Sequence, residues 1–172
     1  MIAPLLERRL RLALTAALAV YGVVLLTHPD TYGFMDDVDL PIHEAGHVVF
    51  GPFGEFIGFA GGTLMQLIVP LVFAIYFWRR KDRYGASVAL WWLAQSSWNV
   101  ARYVQDARAQ ELPLVGGGEH DWAYLLGEMG WLRQDIAIGH GIRVIGGFIF
   151  IAATLLGASA AMAAPPAPPA DA

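Results

Sequence analysis

His43, Glu44 and His47 stand in "PIHEAGHVVFGPFGEF" (41–56) at the spacing H-E-x-x-H. On a helix, side chains four apart lie on one face, so the two imidazoles can reach a single ion. Glu44 sits beside that face, where a carboxylate can take a proton from water. Zinc held by such a pair lowers the pKa of its water toward ~7, and the glutamate serves as general base. The same residues on an interfacial helix would instead hydrogen-bond to backbone or lipid headgroups. The chain has no cysteine, so disulfides and thiolate ligands are excluded and a metal must rely on His, Asp or Glu.

Two histidines fall short of a catalytic zinc set, which has three protein ligands and an open position. The candidates for the third are Asp106 and the pair His120-Asp121 in "GGGEHDW". Asp121 is placed to N-cap a short helix near 121–132, leaving His120 at its mouth. Imidazole suits zinc and the glycines give reach, so His120 leads. Asp106 is then a fourth ligand, or an acceptor that orients a histidine. It ends a polar stripe of Gln95, Asn99, Arg102 and Tyr103 at helical spacing. Its alternative role is an ion pair with Arg102 or Arg108.

Gly51, Gly54, Gly58, Gly61 and Gly62 follow the motif at three- and four-residue spacing. Such a run makes a close-packing helix face. Alternatively, Gly61 and Gly62 open the backbone to an extended substrate. Gln66, on the face of Pro70, could reach the site, so Gly61, Gly62, Gln66 and Asn99 are the candidate substrate-binding residues. His28 reads as interfacial. Arg143, near His140, would snorkel to headgroups or stabilise an anionic intermediate.

These residues need elements to position them, and the composition says which kind. The 172-residue chain is 56% hydrophobic and 15% charged, too apolar for a soluble domain of this size. It reads as an all-α polytopic membrane protein, a single domain over 1–163 with a disordered Pro/Ala-rich tail at 164–172. About four transmembrane helices are expected, near 12–27, 56–78, 86–108 and 138–163, with a short interfacial or membrane-embedded helix carrying the H-E-x-x-H motif. Seven of the eleven basic residues lie in Arg8–Arg11 and Arg79–Arg83, while 28–41 carries four aspartates and no Lys or Arg. By the positive-inside bias, both termini are cytoplasmic and the metal site faces the outer side of a bacterial inner membrane. Partners are the lipid bilayer and a membrane-protein or peptide substrate; no nucleic acid is expected.

With "HEAGH" at the membrane, a following "GG" and a helical bundle, the chain resembles the site-2 protease group of membrane-embedded zinc metalloproteases. The resemblance implies that His43 and His47 bind zinc and Glu44 activates water. It also implies that an aspartate on a later helix, with Asp106 as the counterpart, completes the set. The N-P-x-P-x-x-D-G segment of that group is absent from "NVARYVQDAR". "GGTLMQ", "YVQDAR" and "GGGEHDW" also resemble an uncharacterised bacterial membrane family with the same zinc motif. The expected function is a zinc-dependent membrane metallopeptidase, with a non-catalytic metal-binding or scaffolding membrane protein as alternative. Five histidines with one pair at ligand spacing do not supply the boxes of a di-iron oxidase or desaturase.

Overall fold

The computed structural model describes residues 2–114 and 118–163; the Pro/Ala tail and Gly116-Gly117 lie outside them. The described residues form six α-helices and no strand: α1 (Ile2–Thr27), α2 (Phe34–Phe50), α3 (Glu55–Arg79), α4 (Arg83–Gln105), α5 (Asp121–Glu128) and α6 (Asp135–Met162). By length and composition α1, α3 and α6 can cross a membrane. The expected third crossing corresponds to α4, whose sequence is broken by Gln95, Ser96, Ser97, Asn99 and Arg102. It falls short of that apolarity because it is the internal helix, packed along α6 and α3. Thirteen of its residues are buried, those polar ones included except Asn99 and Arg102.

The aromatic and small residues of α4 make the core. Trp91, Ala94 and Trp98 pack with Phe150 and Ala153 of α6, while Val100, Val104 and Ala107 pack with Leu126 of α5. α1 lies against α6 and the start of α4 but is otherwise exposed. Its last carbonyls are satisfied by Arg143, whose Nη2 donates to the oxygens of Leu25 (3.4 Å) and Leu26 (2.7 Å). That cap, rather than headgroups or an intermediate, occupies Arg143. At the other end, the Tyr84 hydroxyl donates to the Arg11 carbonyl at 2.8 Å and the Arg11 guanidinium lies 5.1 Å from the Tyr84 ring. The two basic clusters therefore share one end of the bundle.

The second half of the acidic stretch before the motif is helix. Residues 34–41 are the first half of α2, with Pro41 inside the helix, and Asp36 and Asp39 are buried. Gly33 N–H donates to the Asp36 carboxylate at 2.6 Å, closing the first turn. α2 lies antiparallel to the first half of α3. His47 pairs with Gly58, Gly46 meets Gly61, His43 meets Gly62 and Asp39 reaches Gln66. The approach is close because both helices present glycine: a Cβ on Gly46 would lie 2.2 Å from the Gly61 carbonyl oxygen, and one on Gly61 would lie 2.6 Å from that of Gly46. Neither backbone can yield to such an overlap. Gly46→Val should lower unfolding stability by about 1–3 kcal/mol, read as a drop in the denaturation midpoint. The exposed Gly51, whose Cβ would meet nothing within 4 Å, should accept alanine with little change.

Candidate metal centre

α2 carries His43 and His47 on the face turned to α3 and α5. The His47 Nδ1 lies 2.8 Å from the Gly58 carbonyl oxygen. A carbonyl only accepts, so Nδ1 carries the proton and, in the neutral ring, Nε2 carries the lone pair. The same tautomer is imposed on His43 by a longer chain. Gln66, 2% exposed, donates its amide N–H groups to Asp39 (3.2 Å) and to the Asn99 side-chain oxygen (2.8 Å). Its Oε1 must then face His43, where it accepts from Nδ1 at 3.2 Å. Asn99 in turn donates to Asp36. Asp39, 1% exposed, also accepts from Trp92 (2.9 Å) and Ser96 (3.3 Å), so residues of α2 and α4 together hold the Gln66 amide in one orientation.

Both Nε2 atoms point at Asp121. Its Oδ2 lies 2.9 Å from the His43 Nε2 and 3.3 Å from that of His47, and the three ligand atoms fall within 4.8 Å of one another. With both Nδ1 protons committed elsewhere, the two imidazole lone pairs and a carboxylate oxygen meet without a donor among them. Only a proton on one ring or a cation between them relieves that repulsion. The effect is visible at His43: burial disfavours its charged form, but the Asp121 hydrogen bond and charge, with Gln66, outweigh it and raise its pKa above the ordinary 6.5. Zinc–nitrogen and zinc–oxygen bonds of about 2.0–2.2 Å in a tetrahedron separate ligands by roughly 3.4 Å. Two imidazoles and a carboxylate this close together could hold a metal ion, and the Gly58 carbonyl and the Gln66 amide already fix the tautomers that ligation requires.

Asp121 is delivered by α5, whose fastening exchanges the expected roles of two neighbours. His120, not Asp121, caps the helix: its Nδ1 accepts from the Ala123 N–H at 3.3 Å. Its Nε2 donates to the Asp106 carboxylate, also at 3.3 Å, and its side chain is fully buried. The first residue after the cap, Asp121, is thereby free to face α2. Asp106 also accepts from the Glu111 (2.9 Å) and Leu112 (3.1 Å) N–H groups, fixing the turn that leaves α4. The structure thus brings His43 and His47 together with Asp121, and keeps His120 and Asp106 paired with each other outside that cluster. Arg108, the other proposed partner of Asp106, binds Asp135 at 2.7 Å instead. Three further contacts secure α5. Trp122 donates to Thr63 of α3 (3.1 Å), the Asp121 N–H donates to the Tyr103 hydroxyl of α4 (3.3 Å), and Tyr124 stacks on Phe59 at 4.1 Å.

Glu44 is exposed and makes no contact with the three ligand atoms; it lines a cavity of about 490 Å³ together with His43, His47, Tyr103 and Asp121. The four candidate substrate contacts are placed differently. Gly61 and Gly62 are buried beneath α2 and their peptide groups belong to the α3 ladder, so they cannot pair with an extended chain. Their role is proximity: a Cβ on Gly62 would lie 2.3 Å from the His43 Nε2. Gln66 and Asn99 have their polar groups engaged in the chain that orients His43. His28 and His140 are exposed and lie outside the cluster.

Comparison with protein-family models, curated proteins and solved structures finds no match.

Two substitutions separate orientation from ligation. If the cluster holds a metal, Gly62→Ala should displace the His43 ring and weaken metal binding. Asp106→Ala should weaken it by about 10–100-fold through loss of the His120 contact that sets Asp121. Competition with a chromogenic chelator measures both. Unchanged affinity in Asp106→Ala would show that α5 holds Asp121 without that contact.

Proposed function

We propose that this chain is a zinc-dependent membrane metallopeptidase. The observation that carries the reading is the convergence of two tautomer-fixed Nε2 atoms and the Asp121 carboxylate beside Glu44, at the wall of an open cavity. His43, His47 and Asp121 would hold the ion, leaving one position for substrate or water. When bound, zinc supplies Lewis acidity toward water and a peptide carbonyl. Glu44 takes a proton from the water that adds to the carbonyl carbon. It returns that proton to the departing amine nitrogen as the C–N bond breaks, so it ends each turnover as it began. Gln66 and the Gly58 carbonyl keep each imidazole from turning over, and Tyr103 forms the wall facing α2.

We further infer that the bundle sits in a bacterial inner membrane with four crossings, α1, α3, α4 and α6, and both termini cytoplasmic. The shared end of the two basic clusters supports this, since one positive collar then faces the cytoplasm. The metal cluster lies toward the opposite end of α3, the outer face. α4 is tolerated as a crossing because its polar side chains turn inward, to Asp39 and Gln66.

The decisive experiment pairs metal analysis with hydrolysis of a fluorogenic peptide library in detergent micelles. Glu44→Gln should keep one zinc and lose about 10²–10⁴-fold in turnover. His43→Ala, His47→Ala and Asp121→Ala should lose both zinc and turnover. A full zinc equivalent in Asp121→Ala would overturn the ligand set. Zinc binding by a wild-type protein that cleaves nothing would leave a metal-binding membrane protein instead. Because the chain has no cysteine, Ala109→Cys and Ala163→Cys report orientation cleanly. An impermeant maleimide should label the first in intact cells and the second only after permeabilisation.

A further inference from the structure

The end of the bundle away from the His43–His47–Asp121 cluster carries a charge that no described residue balances. Residues 7–11 and 79–83 hold seven Lys and Arg side chains against two carboxylates, Glu7 and Asp82, a net charge of +5. Both carboxylates are engaged. Glu7 pairs with Arg11, and Asp82 accepts from the Gly85 N–H at 2.8 Å as the cap of α4. α6 also reaches this end, where its Gly157 lies beside Thr15 of α1 and Ser87 of α4, but it has no charged side chain from Val144 to Met162. Among the described residues, Arg8, Arg9, Arg79, Arg80, Lys81 and Arg83 therefore have no ion-pair partner.

Folding gathers this charge where it could have dispersed it. The Tyr84 hydroxyl binds the Arg11 carbonyl and so brings the basic end of α1 beside the α3–α4 turn. Three arginines lie over aromatic rings. The guanidinium carbon of Arg83 is 3.5 Å from the centre of the Trp78 ring, that of Arg80 is 5.5 Å from Tyr76, and that of Arg11 is 5.1 Å from Tyr84. A guanidinium held over a ring keeps the N–H groups at its edge for an anion. Tyr76 and Trp78 are themselves half-exposed, and so are Val72, Phe73 and Ile75 in the turns before them. Amphipathic rings next to an apolar helix surface mark the headgroup level of a bilayer. A phosphate complements the guanidinium edges, and the apolar surface beside them favours a phosphate that carries acyl chains.

We propose that this end of the bundle binds the phosphodiester headgroups of anionic phospholipids, shared between Arg80 and Arg83 at the α3–α4 turn and Arg8 and Arg9 of α1. The lipid is anionic overall, because a zwitterionic headgroup would bring its own cation against the same positive surface. The bound headgroups offset the repulsion between the two basic clusters. They thereby fasten α1, whose apolar span is almost wholly exposed. The binding requires neither a metal nor peptidase activity.

Native mass spectrometry of the detergent-solubilised full chain tests this by counting retained lipid during titration. The probes are phosphatidylglycerol and phosphatidylcholine with the same oleoyl chains, at equal ionic strength. Phosphatidylglycerol should bind at least about 10-fold more tightly, since each Lys or Arg near an anionic surface contributes a factor of about five. The double variants Arg80→Gln/Arg83→Gln and Arg8→Gln/Arg9→Gln should each remove most of that preference, and Arg80→Lys/Arg83→Lys should keep most of it. Arg133→Gln, at the opposite end, should leave it intact. Equal retention of the two lipids by the wild-type chain would overturn the proposal. An equal loss in Arg133→Gln would also overturn it, by making net charge alone the cause. Loss confined to one of the two glutamine double variants would overturn the sharing between α1 and the turn. Displacement of the lipid by millimolar inorganic phosphate would assign the surface to a soluble anion and overturn the lipid.

Discussion

Everything at the His43–His47–Asp121 cluster depends on how closely α2 can approach α3. The helices touch through Gly46 and Gly61, each without a side chain at the point where the other's carbonyl passes. Helix axes ordinarily sit 8–10 Å apart because side chains interleave between them. Removing those side chains lets short groups act across the gap. The His47 Nδ1 can then reach a backbone carbonyl, the His43 ring can lie over Gly62, and Gln66 can touch both His43 and Asp39. With larger residues at the crossing, the same four side chains would be too far from their partners to be fixed by them. The glycine run after the motif thus sets the distance across which these contacts form as well as making a packing surface.

Proximity alone would leave the imidazoles free to flip, and the second constraint is the direction of each hydrogen bond. A carboxylate at Asp39 can only accept, so it fixes which end of the Gln66 amide faces it and, through that amide, which nitrogen of His43 is protonated. Burying Asp39 is unfavourable: burial raises its pKa, opposed by hydrogen bonds from Trp92, Gln66 and Ser96 among others. That unfavourable burial makes sense where the acid determines an orientation that no apolar residue could. The fixed tautomers then create the concentration of lone pairs around Asp121 that a cation would relieve. The Nδ1 protons and the candidate metal site are two consequences of one chain of donors and acceptors.

Much of this was legible in the residues. The i, i+4 histidines predicted their shared face, the helical spacing of Asn99, Arg102, Tyr103 and Asp106 predicted a stripe on one side of α4, and the basic clusters predicted a common end. What was hidden has a consistent cause. His120 and Asp121 are adjacent in sequence, and either can serve as cap or as ligand; only the tertiary partners of each decide. Asp106 draws His120 away by its Nε2, and that leaves the His120 Nδ1 to cap α5 and Asp121 to face α2. Similarly, the aspartates at 36 and 39 look like a solvated loop because their charge carries no sign of the Gln66, Asn99 and Trp92 donors that await them. The Gly58 carbonyl left no mark in the sequence, since a backbone acceptor is common to every residue.

α4 combines membrane-like length with soluble-like composition because of its place inside the bundle. A crossing helix is usually recognised by an apolar surface, yet α4 exposes little surface and is enclosed by α1, α3 and α6. Its outward needs are met by its neighbours, so its residues can be chosen for internal contacts: tryptophans and alanines against α6, and hydroxyls and amides toward α2. Apolar surface is then concentrated on α1, α3 and α6, the three helices that meet the apolarity of a crossing. A polar helix sheathed by apolar ones is how a bundle in lipid can hold donors and acceptors at depth without exposing them to hydrocarbon. The network that aims His43 requires that arrangement, because Asp39, Gln66 and Asn99 would each find water instead of one another on an open surface.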